Sequence, residues 1–370
     1  MSGFGAWRER VGRSAWRLTG ARLFWTVLPF YILALFLLRW GLTPVASPDD
    51  AEQLILAQSL AGGYGPAQPP LYTWLVWLLS QAIGPGLLAV LAVKFVLIYL
   101  LFAFTALAAR AIVPGGDQAR LAPLGLLGLG FVGYEAVYNY SNTIAQAAAI
   151  AATIWTVAIL YRRRGQPMSW RAYAGLGLAV GLGLLSKYGY ALFLGATVAA
   201  MLTMGPFRRL LFARGIWATL AVAAVVLLPH VIWLAVEGID LAGAFGERLG
   251  PGGAAGADNP VAQGLFNLVN GVLLFLTPLL VVALVLFPRA ALPLSPAADA
   301  ERDFIRLGNR FFVVVIAVLL FAVLVLKLPN LRTHYMFVLI GFPLWWLLRA
   351  RALELPPRRF RQYATVLVAF

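Results

Sequence analysis

An all-α, polytopic transmembrane helical bundle is the fold class that this sequence predicts, and three observations predict it. Of its 370 residues 62% are hydrophobic and only 12% charged, far from the balance of a soluble chain, and the mean hydropathy is +0.84. Apolar runs long enough to cross a hydrocarbon core of about 30 Å recur along the whole chain. Basic residues gather in alternate connections between those runs. About 10–11 or more spanning helices are expected, with interfacial helices in the first outer loop.

The runs lie at 23–42, 87–109, 121–137, 143–161, 172–186, 189–204, 215–236, 264–287, 311–328 and 336–348. A last one opens at Ala364 and reaches Phe370 after seven residues. That is too few to cross at about 1.5 Å per residue, so a C-terminal continuation is expected. No solenoid-length repeat and no soluble domain interrupts the series, so residues 23–370 read as one transmembrane domain. Before it, residues 1–22 place Trp7, Val11, Trp16 and Leu18 among arginines at near-helical spacing, which suits a basic helix lying on an anionic cytoplasmic leaflet. The first run has no convincing small-residue cleavage site after it and reads as an anchor rather than a signal peptide.

The net charge of +15 raises the question of nucleic acid. Its distribution answers it. With the N-terminus cytoplasmic, 23 of the 29 Lys and Arg fall on cytoplasmic segments, leaving only Arg39, Lys94, Lys187, Arg248, Lys327 and Arg332 elsewhere. This is positive-inside topology, and no nucleic-acid partner is expected. The absence of cysteine excludes disulfides and thiolate metal sites, and two histidines cannot make a zinc site by themselves.

On this topology the outer segments are residues 43–85, the short turns at 138–142 and 187–188, residues 237–262, and 329–335. The first contains an amphipathic helix from Pro48 to about Leu60, then an apolar piece from Leu71 to about Ile83 that is too short to span. The fourth, with Gly250-Pro-Gly-Gly-Ala-Ala-Gly, is either a passive linker or a mobile lid. Gly175, Gly177, Gly181 and Gly183 form a small-residue stripe that allows close helix packing. Gly183-Leu-Leu-Ser-Lys lacks the Gly-Lys-Ser/Thr order of a phosphate loop.

Asp49 and Asp50, in Ser47-Pro-Asp-Asp-Ala-Glu-Gln, are the first candidates for chemistry. Two readings stand side by side. Ser47 can be an N-cap with Pro48 at the first helical position and Asp50 returning a hydrogen bond to the cap. That explains Asp50 and leaves Asp49 only a weak dipole role. The catalytic reading draws on the cations opposite: Lys94 about two turns inside its helix, Lys187 in an outer turn, and Arg332 in a later one. Each lysine alone can snorkel to the headgroups, whereas three cations at the outer ends of different helices suit a lipid-linked phosphate. Glu135, Tyr140, Asn142, His334 and Tyr335 supply polar groups at the same level, His334 reads as an interfacial hydrogen-bonding residue, and Tyr64, Glu135, Asn142, His334 and Tyr335 are the substrate-binding candidates.

The order acidic pair, Gly63-Tyr64, Gln68-Pro-Pro-Leu and then a cation in the next helix resembles the bacterial glycosyltransferases related to protein O-mannosyltransferases and to the aminoarabinose transferase of lipid A. Gly183-Leu-Leu-Ser-Lys-Tyr and Arg332 followed by Tyr335 are similar to that family too, and the likeness covers most of the chain. The resemblance implies a GT-C fold, a bacterial inner-membrane location and a periplasmic active site. The family carries an Asp-Glu pair in its first outer loop, and its Asp activates the acceptor hydroxyl. That role falls to Asp49, with Asp50 in place of the Glu. A second departure is neutral Gln68 where many relatives have Lys or His before Pro-Pro, so a phosphate contact there is absent or moved to Lys94 or Lys187.

The implied reaction moves a sugar from a polyprenyl-phosphate donor to a lipid, glycan or protein acceptor. A carboxylate takes the hydroxyl proton during attack on C1, and Lys94, Lys187 and Arg332 hold the leaving phosphate. Direct displacement with inversion is expected, a covalent route through Asp49 being the other possibility. No cofactor is required. A divalent metal would find few oxygen ligands in one carboxylate pair. A lipid-linked sugar transporter or flippase uses the same cations without bond chemistry, but no inverted repeat is visible. A structural subunit of an envelope complex is the third reading.

Overall fold

The computed structural model describes residues 24–66, 68–114, 121–249, 259–291, 299–352 and 357–369. The expected basic helix at 1–22 and the Gly-rich stretch at 250–258 lie outside the described residues. The described chain is helical with no strand. In order it runs through α1 (Phe24–Leu42), α2 (Pro48–Leu56), α3 (Leu71–Ile83), α4 (Leu87–Ile112), α5 (Leu124–Leu127), α6 (Gly130–Gly133) and a 3-10 turn at Glu135–Val137. Then come α7 (Ser141–Arg162), α8 (Trp170–Ser186), α9 (Tyr190–Leu202), α10 (Gly205–Leu211), α11 (Ile216–Val236), α12 (Leu241–Leu249), α13 (Pro260–Leu276) and α14 (Leu279–Leu286). After a 3-10 turn at Pro288–Ala291 the chain ends in α15 (Asp299–Leu324), a 3-10 segment at Thr333–Leu339, α16 (Phe342–Arg351) and α17 (Pro357–Ala369).

Where the hydropathy runs predict ten or so crossings, five described helices are single rods long and apolar enough to cross: α1, α4, α7, α11 and α15. The other runs are carried by shorter or broken elements, for local reasons. Run 121–137 contains Pro123, Gly125, Gly128, Gly130 and Gly133, and it breaks into α5, α6 and a 3-10 turn. Run 264–287 divides at Pro278, whose ring provides no N–H to continue α13. The adjacent Leu279 N–H instead donates to the Gly128 carbonyl at 2.6 Å, tying the two broken runs together. Between α9 and α10 the chain bends by 120°. The final run belongs to α17, which turns Phe360, Tyr363 and Leu367 inward at helical spacing, with Phe360 and Tyr363 against Phe287.

Burial separates centre from rim. The apolar windows of α4 and α7 are 61% and 78% buried, whereas those of α1, α11 and α15 are 17%, 17% and 22% buried. The centre is thus an α4/α7 pair, continued by α8 on α7 and α11 on α8. The rim helices turn Phe30, Trp217, Val225 and Phe321 outward, as lipid-facing side chains do. The glycine stripe acts as expected where α8 meets its neighbours. A Cβ on Gly177 would collide with the Thr219 carbonyl oxygen of α11, one on Gly181 would lie 2.9 Å from Val226, and one on Gly183 would strike the Tyr190 ring. Gly175 has room, its nearest neighbour being Thr156 at 3.9 Å.

Residues 43–85 form two helical pieces, α2 and α3, as predicted. α3 lies on α4, with the buried Tyr72 hydroxyl donating to the Val90 carbonyl at 2.8 Å and Thr73 Oγ1 donating to Gln53 of α2 at 2.7 Å. Replacing Gly177 with Val forces α8 and α11 apart, so thermal unfolding of the purified protein should show a loss of about 1–3 kcal/mol. Gly175→Ala should leave stability unchanged or raise it slightly.

Candidate functional site

Ser47 starts α2 as the capping box predicts. Its hydroxyl accepts from the Asp50 N–H at 3.2 Å, and its own N–H donates to Asp50 Oδ2 at 3.2 Å. Capping does not exhaust Asp50. Its carboxylate is fully buried and meets two cations, with Lys94 Nζ 2.6 Å from Oδ1 and Arg39 Nη2 3.3 Å from Oδ2. Lys94 also donates to the Tyr138 carbonyl at 3.0 Å. Arg39 donates to the carbonyls of Thr43 and Val45 and lies 5.1 Å from the Tyr138 ring centroid. Asp50 therefore joins α1, α2, α4 and the turn before α7.

This corrects one expectation. Lys94, placed at the donor phosphate by its position in the sequence, has no exposed surface and gives its ammonium to Asp50 and Tyr138. A buried ammonium is tolerated where a carboxylate and a further acceptor meet it. The neutral Gln68 does not replace it as a cation. It accepts from Asn142 Nδ2 and donates to Glu52 at 3.3 Å, bridging α7 and α2.

Asp49 differs from its neighbour. It is half-buried, and its Oδ2 accepts the backbone N–H of Tyr140. Among the described residues that is its one hydrogen bond. Tyr140, a non-glycine residue in the left-handed region at φ 68°, pays a small backbone cost there and immediately precedes α7. Its ring lies 5.7 Å from that of Phe131, 5.8 Å from Phe337 and 6.2 Å from His334. Burial, then the carboxylates of Glu135 and Asp49, raise the Tyr140 phenol above its ordinary pKa, so both acids face this residue. Glu135 is held by Asn139 Nδ2 at 3.1 Å.

Across Tyr140 lies the second half of the site. Lys187, at the end of α8, donates to Thr143 Oγ1 of α7 at 2.7 Å and lies 5.9 Å from the Tyr335 ring centroid. The His334 ring is 4.4 Å from that of Tyr335. Burial, then the charges of Lys187 and Arg332, push the His334 imidazole down to about 3, so it is neutral at pH 7 and can both donate and accept a hydrogen bond. Arg332 is exposed. Asn142 lies in the first turn of α7 with its Oδ1 buried and lacking a hydrogen-bond partner among the described residues.

Asp49, Glu135, Tyr140, Asn142, Lys187, Arg332, His334 and Tyr335 thus meet around the start of α7. Tyr64 does not join them. Its hydroxyl donates to the Ser59 carbonyl at 2.7 Å and accepts the Ala61 N–H at 3.2 Å, closing its own loop. Arg39 and His230 were missed by sequence reasoning. His230 of α11 lies 2.8 Å through Nδ1 from the Gly62 carbonyl and 3.1 Å through Nε2 from the Tyr188 hydroxyl, with Trp233 stacked on it at 5.8 Å. Gly62 and Gly63 lie so close to Trp233 that neither could carry a Cβ. His230 thereby ties the loop between α2 and α3 to the residue beside Lys187. A lone histidine in an apolar span is a signal that could have found it. Among the described residues no three His, Cys, Asp or Glu gather as a metal site.

Residues 67–233 match the family of dolichyl-phosphate-mannose-protein mannosyltransferases. Over 360 residues the chain is 32% identical to the lipopolysaccharide core galacturonosyltransferase RgtA of Rhizobium johnstonii, covering 93% of this chain and 68% of that protein. The chain belongs to the GT-C glycosyltransferases. The RgtB galacturonosyltransferase of the same organism is 30% identical over 87% of this chain and 64% of its own length. The fold is also that of ArnT from Cupriavidus metallidurans, with TM-scores of 0.64 for the form bound to undecaprenyl phosphate and 0.65 for the apo form, at 16% and 17% identity. Those alignments cover 91% and 93% of this chain but 61% and 62% of ArnT, so the chain spans somewhat under two thirds of that structure.

Within this GT-C fold the Asp50 pairing should dominate stability. Lys94→Met leaves a buried carboxylate with one fewer cation, and should cost about 3–5 kcal/mol in thermal or denaturant unfolding. Lys187→Met, at a half-buried position, should cost about 1 kcal/mol or less.

Proposed function

We propose that the protein is an integral-membrane glycosyltransferase that moves a sugar from a polyprenyl-phosphate donor to a lipid acceptor at the periplasmic face. The observation that carries this reading is Asp49: one oxygen is held by the Tyr140 N–H and the other accepts nothing among the described residues, beside a cluster containing Lys187 and Arg332. Asp50, by contrast, is committed to Lys94 and Arg39.

In this mechanism the acceptor hydroxyl approaches Asp49 and transfers its proton to the free carboxylate oxygen as its own oxygen bonds to C1 of the sugar. The bond from C1 to the phosphate oxygen breaks, and the electron pair leaves with the polyprenyl phosphate. One bond forms on the face opposite the one that breaks, so configuration inverts. Lys187 and Arg332 stabilise the growing phosphate charge. Neutral His334, on which both cations act, offers a hydrogen bond without competing for the anion. Glu135, Asn142 and Tyr335 are positioned to contact sugar hydroxyls. The names of the galacturonosyltransferase relatives support a lipopolysaccharide acceptor and make galacturonic acid the first sugar to try; undecaprenyl phosphate, bound to ArnT, is the corresponding carrier.

The test incubates purified protein with undecaprenyl-phosphate-linked galacturonic acid and lipopolysaccharide core, following the transferred mass by mass spectrometry. Asp49→Asn should lower turnover by about 10²- to 10⁴-fold while donor binding is retained. Normal turnover by that variant would remove Asp49 as the base, and donor binding without any transfer by the unaltered protein would favour transport.

A further inference from the structure

α7 carries the Asp49 cluster at its start and reaches the opposite end of the bundle at Arg162. There the connection to α8, together with α10, encloses a cavity of about 520 Å³ lined by Arg163, Arg164 and Arg209. No acidic residue lines it, and none of the three arginines pairs with a carboxylate among the described residues. Two are already fixed in place. Arg163 Nη1 donates to Ser169 Oγ at 2.9 Å, the same hydroxyl that caps α8 by accepting the Ala172 N–H. Arg164 donates to the Tyr161 carbonyl at 3.1 Å, with its guanidinium 3.8 Å from the Tyr161 ring centroid. Arg209 extends from α10 as an exposed side chain without a hydrogen-bond partner.

Positive-inside sorting accounts for arginines at this end, but not for two guanidinium groups anchored beside a third around one cavity. Like charges held together repel unless an anion with several acceptor oxygens sits among them, and guanidinium groups suit phosphate oxygens. The surroundings indicate where that anion comes from. Exposed Trp170, Trp217, Phe212 and Met168 surround the same end, and tryptophan at this position marks the headgroup level. α10, turned by 120° from α9, runs along that level instead of crossing. A phosphate on a lipid is concentrated there, whereas a soluble phosphate is not.

We propose that this cavity binds the phosphodiester headgroup of an anionic phospholipid from the cytoplasmic leaflet, with Arg163, Arg164 and Arg209 as its ligands. The site is separate from the donor site and does not depend on the proposed reaction.

Native mass spectrometry of the delipidated full chain tests it, with phosphatidylglycerol, phosphatidylcholine and inorganic phosphate as probes. The unaltered protein should retain phosphatidylglycerol in preference to phosphatidylcholine. The triple variant Arg163→Gln, Arg164→Gln, Arg209→Gln should lose that preference by about five-fold or more. A control with the same charge loss, Arg171→Gln, Arg208→Gln, Arg214→Gln, should keep it. Equal retention by the pocket triple, or equal loss in the control, overturns the site, the latter pointing to diffuse surface charge. Displacement of bound lipid by millimolar inorganic phosphate would overturn the lipid assignment in favour of a soluble anion. If the triple variant fails to fold, Arg209→Glu, which disturbs no contact, should lower the preference by itself, and no change in that variant contradicts the proposal.

Discussion

The buried carboxylate of Asp50 is the constraint on which the half of this molecule around the start of α7 depends. A carboxylate removed from water carries a desolvation penalty of several kcal/mol that only closely placed donors offset. Here they are the Lys94 ammonium, the Arg39 guanidinium and the Ser47 N–H. Each donor belongs to a different part of the chain, so satisfying one charge fixes α1, α2 and α4 against one another. Lys94 extends the same network to the turn before α7 through the Tyr138 carbonyl. With Asp49 alongside, the two acids and two bases carry no net formal charge.

The different surroundings of the adjacent aspartates follow from helix geometry. Successive residues on a helix are about 100° apart around its axis, so when Asp50 turns into the interior, Asp49 must turn elsewhere. It turns toward Tyr140, the residue that leads into the central helix α7. The cations divide in the same way. Arg39 and Lys94 are enclosed with Asp50, whereas Lys187 and Arg332 act on His334, whose ring lies 6.2 Å from that of Tyr140. A base in a proposed transferase site must be held in place without giving up both of its carboxylate oxygens. Asp49 meets that condition through the single Tyr140 N–H among the described residues, while Asp50 takes up Lys94 and Arg39.

Some of this was legible in the chain. Ser47-Pro-Asp-Asp announces a capped helix because capping is local, and the glycine stripe of α8 announces a close helix contact because small residues have few other reasons to recur on one face. The acidic pair and two of the three expected phosphate cations, Lys187 and Arg332, stand around the start of α7. The pairing of Lys94 with Asp50 was not legible, because the two are 44 residues apart and hydropathy says nothing of which cation meets which acid. Tyr64 looked available only because its loop partners, Ser59 and Ala61, are backbone groups that any residue could supply. Run 121–137 was apolar enough to cross, but its proline and four glycines weighed more on backbone geometry than on hydropathy. His230 was discounted as a metal ligand, while its use as a tie between α11, Gly62 and Tyr188 required the fold.

The central claim is that adjacent aspartates perform separate tasks, Asp50 structural and Asp49 chemical. Measuring melting temperature and sugar transfer side by side for Asp50→Asn and Asp49→Asn tests it most directly. The account predicts a crossed result: Asp50→Asn lowers the melting temperature by several degrees or more, and Asp49→Asn slows transfer by about 10²- to 10⁴-fold while melting near the unaltered protein. Equal loss of stability in both variants, or transfer that survives Asp49→Asn, would contradict it.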